Sequence, residues 1–127
     1  MYYTENQLSK LALDAAFKVH NQLGPGLLES SYQECLFYEI KNMGLFVQKE
    51  KPQPLIYNEV KLDIGYRLDL LVENKLIIEI KSVDSLNDIH LAQVLTYLKL
   101  SKCKLGLLLN FNVKSLKLGI KRVVNGL

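Results

Sequence analysis

Cysteine and histidine are scarce in this 127-residue chain, at two of each. Cys35 and Cys103 lie far apart and form no Cys-x-x-Cys pair, and with so few histidines neither a disulfide framework nor a zinc site of the usual spacing can be built. A reducing cytoplasm is the expected location. No apolar run reaches the eighteen or more residues of a membrane span, and MYYTENQLSK lacks the basic-then-apolar order of a signal peptide. A soluble chain with no membrane partner is therefore expected. No repeat, low-complexity tract or linker interrupts the sequence, which reads as one domain over residues 1–127. Acidic residues are missing from its last third: residues 85–127 hold Asp88 alone against seven Lys and Arg.

The composition, 49% hydrophobic and 23% charged, is that of a folded domain with a net charge of +3. At this length about two thirds of the unfolded chain's surface is buried on folding, enough for one core without staples. The charge is unevenly placed. Residues 1–84 carry 9 basic and 12 acidic groups, a balance of −3, and the remainder carries +6. Such a division suits a polyanion held beside a carboxylate site, and equally a lysine-rich solvated surface.

Leu8, Leu11, Ala12, Ala15 and Val19 recur at helical spacing and predict a helix from about Glu5 to Gln22, stopped by Gly24-Pro25-Gly26. A second helix is predicted from about Glu29 to Met43, with Leu28, Tyr32, Cys35, Leu36 and Ile40 as its apolar stripe and Gly44 as its cap. The period then changes to two. Every even position from Val60 to Val72 is apolar, which predicts a strand region with one buried face, paired at its start with Leu55–Tyr57 through a turn at Asn58-Glu59. A further strand is expected over Leu76–Val83, then a helix from about Asn87 to Ser101, a buried strand over Leu105–Leu109 and a last strand near Ile120–Val124. A strand, a helix and a buried strand make a parallel crossover, so the fold class is α/β with a mixed sheet.

Chemistry concentrates at the turn between the central strands. A three-residue loop at 73–75 sets Val72 opposite Leu76, and counting back along both strands sets Asp69 opposite Glu79. Opposed residues share a face, with Cβ atoms about 4.5–5.5 Å apart. Two ionised carboxylates that close repel unless a positive group intervenes. Lys81, on the same face, is one candidate and a divalent cation is the other, with oxygen-only ligands favouring Mg²⁺ or Mn²⁺. A plain cross-strand salt bridge to Arg67 and Lys81 is the alternative. His90, Gln93 and Tyr97 form a polar stripe on the crossover helix, which either faces the carboxylates or is that helix's solvent side. Glu29 either favours its helix N-terminus by charge or reaches the site as a third carboxylate.

The runs GPGLLESSY at 24–32, GYRLDLLVENKLIIEIKSV at 65–83 and HLAQVLTYLKLSKCKLGLLLNFNVKSLKLGIKRVV at 90–124 resemble the GxxExxY proteins, a group within the PD-(D/E)XK nuclease superfamily. The name motif falls on Gly26, Glu29 and Tyr32. The resemblance implies a restriction-endonuclease-like core, a mixed β-sheet flanked by α-helices. It implies Asp69, Glu79 and Glu29 as metal-binding acids for Mg²⁺ or Mn²⁺, Lys81 as the catalytic lysine, and Gln93 with Tyr97 as a QxxxY pattern. One departure is Leu68, where the superfamily label has Pro. The implied activity is metal-dependent phosphodiester hydrolysis of nucleic acid, DNA ahead of RNA. The basic C-terminal third is expected to grip backbone phosphates, and a chain this small, spanning little of a duplex, is compatible with a homodimer carrying two sites. The rival reading is a catalytically inactive nucleic-acid-binding or protein-interaction module on the same fold.

Overall fold

In the computed structural model, which describes residues 2–127, the first helix α1 (Glu5–Leu23) starts where its sequence says it must. Thr4 accepts from the Gln7 N–H while the Gln7 side chain accepts from the Thr4 N–H, a reciprocal capping box. Gly24 ends α1 with a left-handed φ of 67°, its N–H bonded to the His20 carbonyl. The second helix, α2 (Glu29–Asn42), follows after Pro25 and Gly26. Leu28, expected in its apolar stripe, is instead the N-cap residue and is 74% exposed. Leu28 precedes the first turn, so no helical face carries it inward.

The strands are β1 (Val47–Pro52), β2 (Leu55–Tyr57), β3 (Val60–Leu62), β4 (Arg67–Val72), β5 (Leu76–Lys81), β6 (Leu105–Asn110) and β7 (Ile120–Val124), with α3 (Asp88–Ser101) between β5 and β6. Five of them form one sheet in the order β1-β4-β5-β6-β7. The β5–β6 pair is parallel and the others antiparallel, giving the expected mixed sheet with a helical crossover. Even positions Leu70, Val72, Leu76, Ile78 and Ile80 pack with α1 and α2. On the opposite face Leu71, Ile77 and Leu108 pack with Val94, Tyr97 and Leu98 of α3. From Leu70 onward the period-two alternation separates two cores, one beneath each helical layer, while Leu68, also an even position, packs in the α3 core.

The expected strand region from Val60 to Val72 is two strands in two sheets. Gly65, with φ of 101°, lies in the break between β3 and β4. The β2–β3 hairpin, turned by Asn58 and Glu59 with both φ values positive, is a separate two-stranded sheet. Its apolar positions Val60 and Ile64 are exposed. Alternation had placed them on one face, but no layer covers that face.

Candidate active site

The register of β4 and β5 pairs Val72 with Leu76, Leu71 with Ile77 and Leu70 with Ile78, as the three-residue loop requires. The ladder then changes partners. The Asp69 N–H donates to Glu79 Oε2 at 2.8 Å, and the Ile80 N–H donates to Asp69 Oδ2 at 2.8 Å. Each acid thus takes a hydrogen bond that would otherwise cross between backbones. Asp69 and Glu79 share the α3 face, as expected, but their side chains span the gap between the strands instead of standing opposed on a closed ladder.

This placement is electrostatically costly. Glu79 is 4% exposed and Asp69 is half-buried, and neither forms an ion pair among the described residues. The salt bridge to Arg67 or Lys81 is therefore absent there. Burial pushes the Glu79 carboxyl up to about 8, the Asp69 charge adds to the rise, and the Asp69 N–H and the Lys81 charge oppose it. Asp69 rises to about 6, again chiefly by burial, with the Ile80 N–H working against it and the Glu50 and Glu29 charges reinforcing it. Two acids held in one gap with raised affinity for protons mark a candidate functional site.

Glu50 is a residue that sequence reasoning missed. It lies on β1 between Lys49 and Lys51, which pair with Leu70 and Leu68, so it falls across from Asp69. Its φ of 53° is left-handed, an uncommon conformation for a residue with a side chain. In the sequence it was one acid between two lysines, with nothing to mark the bend.

Glu29 stands at the rim. Its Oε2 accepts from the Ser82 N–H at 3.3 Å, just beyond the end of β5. The Gly-Glu-Tyr spacing explains how it is held there. Tyr32, fully buried and stacked on Phe111 at 4.6 Å, donates its hydroxyl to the Gly24 carbonyl at 2.6 Å and accepts from the Leu27 N–H at 3.1 Å. Ser82 Oγ closes the same loop by donating to the Leu27 carbonyl at 2.7 Å. The loop carrying Gly26 is thereby pinned, and α2 begins with Glu29 directed at Ser82.

Asn110 holds the far side of that segment. It is buried at the end of β6, level with Lys81, and it bonds Val83 twice: Oδ1 accepts from the Val83 N–H and Nδ2 donates to the Val83 carbonyl. Neither Ser82 nor Asn110 announces itself in sequence, because each acts through backbone groups brought near only by the parallel β5–β6 pair.

On α3, the Gln93 amide approaches the Tyr97 hydroxyl at 3.4 Å. Tyr97 is buried on the carboxylate face, and its hydroxyl is pushed up by burial and then by Glu79 and Asp69. His90, by contrast, turns to the helix start, where its Nδ1 accepts from the Asn87 N–H in a second capping box. The polar stripe therefore divides: Tyr97 lies near the two carboxylates with Gln93 beside it, and His90 serves the cap.

The basic residues of the C-terminal third are spread over different parts of the sheet. Leu105 pairs with Leu76 and Asn110 with Lys81, so Lys102 and Lys104 sit at the end of the sheet away from Lys81. Arg122 is engaged with the Asn6 side chain of α1. Lys121 alone shares a cross-strand row with the site, through Leu108 to Glu79.

The hard oxygen donors of Asp69 and Glu79, buried together without an ion pair, fit a divalent cation by charge and chemistry. Glu29 is not gathered with them: among the described residues no group of three or more His, Cys, Asp or Glu side chains is placed to hold a metal ion.

The family model for the PD-(D/E)XK nuclease superfamily matches residues 6–123, nearly the whole chain. The chain belongs to that superfamily, and the five-stranded mixed sheet flanked by helices is its nuclease-like core. No curated protein and no solved structure shows significant similarity to it. Leu68, at the position of the superfamily's Pro, is buried. No helix is long and apolar enough to cross a membrane among the described residues.

Proposed function

We propose that the protein is a metal-dependent nuclease hydrolysing phosphodiester bonds, with Asp69 and Glu79 as the acids that hold a divalent cation and Glu29 as the third. The observation that carries this is the buried Glu79 and half-buried Asp69, each accepting a backbone N–H across the gap between β4 and β5 without an ion pair, with Lys81 on the same face. A bound Mg²⁺ or Mn²⁺ supplies Lewis-acid chemistry, making water more acidic and offsetting charge on the phosphate. The Lys81 ammonium stabilises negative charge developing on the phosphoryl oxygens. Gln93 and Tyr97 orient the phosphate or its water by hydrogen bonds from the α3 wall. Glu29 leaves the long bond to Ser82 to complete the site.

The finer assignments belong to the same reading. Gly26, Glu29 and Tyr32 support membership of the GxxExxY group, since Tyr32 and the glycine-rich loop together position Glu29. DNA is the proposed substrate, a homodimer the proposed unit, and the cytoplasm the location consistent with two free cysteines. A second reading, an inactive binding module, has one observation in its favour: both acids already accept backbone hydrogen bonds and so have a structural role.

Cleavage of labelled single-stranded, duplex, flapped and branched DNA and RNA decides between them. With Mn²⁺ or Mg²⁺ the wild type is expected to cleave, Asp69→Ala to fall to background, and Lys81→Ala to lose roughly 10²–10³ in rate. Equal residual cleavage in all three proteins refutes the assignment. No metal-induced rise in melting temperature, even with nucleic acid present, favours the inactive module.

A further inference from the structure

The β2–β3 hairpin leaves the sheet beside the carboxylates, and its surface has no partner in the fold. It is rooted where Pro52 pairs with Arg67 and the Gln53 N–H bonds the Tyr66 carbonyl at 2.9 Å. Beyond that root it displays Ile56, Tyr57, Val60, Ile64 and Tyr66, with Tyr57 66% and Ile64 59% exposed. Isolated two-stranded hairpins are marginal in water, and an exposed apolar one costs stability that contact with a ligand offsets.

The hairpin is continuous with the site. Tyr66 lies three residues before Asp69 and meets Tyr97 edge-on, with ring centroids 6.2 Å apart and the planes at 64°. Tyr66 remains 43% exposed, so a face of its ring is free. A strand with a phosphate at Asp69 and Glu79 has its neighbouring nucleotides within reach of this ring. The charge of the hairpin indicates which part of a nucleic acid it meets. Residues 55–66 carry Lys61 against Glu59 and Asp63, so the element has no electrostatic attraction for a phosphate backbone. Its apolar and aromatic groups suit base faces, which only an unpaired strand offers.

We infer that the β2–β3 hairpin is a stacking platform for unpaired bases, so that the substrate is a nucleic acid with a single-stranded segment at the scissile position. This rests on the nuclease reading for its location but is tested separately from it. Fluorescence anisotropy with labelled oligothymidine and oligouridine, and with a matched duplex, is measured in EDTA so that no cleavage intervenes. Wild type is expected to bind the single strands more tightly than the duplex. Tyr57→Ala and Tyr66→Ala should each lose roughly 5- to 150-fold in single-strand affinity, the range equivalent to about 1–3 kcal/mol of stacking. Duplex affinity should stay unchanged, and Tyr66→Phe should bind as wild type.

Tyr57 is largely exposed beside the hairpin turn, so its variant keeps the test valid if Tyr66→Ala unfolds. Unchanged single-strand affinity in the Tyr57→Ala variant overturns the platform, as does equal loss on duplex and single strand. Conversion of a dimer to a monomer by these substitutions also overturns it, because a second copy would then cover the hairpin. Cleavage dependent on Asp69 but indifferent to Tyr57 and Tyr66 leaves the nuclease standing and refutes the platform. Tyrosine-dependent binding without cleavage does the reverse.

Discussion

Replacing Glu79 with Gln should make the protein more stable above neutral pH, by an amount that grows with pH. The Glu79 carboxyl has an ordinary value of 4.5 and rises to about 8 in the fold, mainly through burial. Below about pH 4.5 both folded and unfolded chains carry the proton, and the group has no net effect. Between about 4.5 and 8 the unfolded chain releases the proton while the folded chain keeps it. The folded state then binds more protons, so stability falls as pH rises and levels off above about 8. Each pKa unit corresponds to about 1.4 kcal/mol, which puts the total decline at roughly 3–5 kcal/mol. Gln keeps the carbonyl oxygen that accepts the Asp69 N–H at 2.8 Å, so the variant removes the charge without removing the bond. Urea unfolding at pH 5 and pH 8.5 should show the wild-type midpoint falling relative to the variant by at least about 1 M. Mg²⁺ added at pH 8.5 should restore part of the wild-type loss and leave Glu79→Gln unmoved. Parallel pH profiles for the two proteins would show that Glu79 is not a desolvated acid, and the electrostatic case for the cation site would fail with it.

Tyr32→Phe removes the hydroxyl that holds the Gly24 carbonyl and the Leu27 N–H while keeping the stack on Phe111. It should cost about 1–2 kcal/mol in urea unfolding and, by loosening the loop that positions Glu29, lower cleavage at temperatures where the variant stays folded. Asn110→Ala strips the Val83 and Asn112 N–H groups of their side-chain acceptor and leaves the Val83 carbonyl with the Asn112 amide alone. Its expected cost is about 1–3 kcal/mol, with faster amide hydrogen exchange confined first to residues 82–84. Gly119→Ala would drive a Cβ into the Asn110 carbonyl, a backbone atom that cannot step aside. It should destabilise by about 2 kcal/mol or more, and a wild-type melting temperature in that variant would refute the packing of the 3-10 turn Leu116–Gly119 on β6.

Elements governed by neighbours in sequence were legible in the sequence. Gly24 with Pro25 and Asn58-Glu59 stop or turn the chain through bonds spanning four residues or fewer, and periodicity places the start of α1 near Glu5 without the Thr4–Gln7 cap that fixes it. The three-residue loop sets the β4–β5 register, and parity then assigns Asp69, Glu79 and Lys81 to one face. What failed were inferences about covering. Val60, Ile64 and Tyr66 obey the same alternation as Leu70 and Val72, yet the first three are exposed and the other two are buried beneath α1 and α2, while Leu68, also in phase, packs on the α3 side. Alternation states which side chains share a face and says nothing of whether another layer lies on it.

The sequence by itself therefore determined the three helices, the central and last strands with their parallel crossover, and the grouping of the two central acids with Lys81, but not β1 at Val47–Pro52. Tertiary structure alone decided that the ladder opens at Asp69 and Glu79, and that both acids are desolvated there. It also brought Glu50 across from Asp69, set Ser82 and Asn110 around Glu29, and distributed the lysines of the last third to different edges. The +6 of residues 85–127 is a sum along the chain, and a sum along the chain carries no direction in space. Hydrogen-bonded turns and periodicity act over a few residues and can be read in one dimension. Desolvation and charge proximity depend on which distant segments meet, and only the folded chain specifies that.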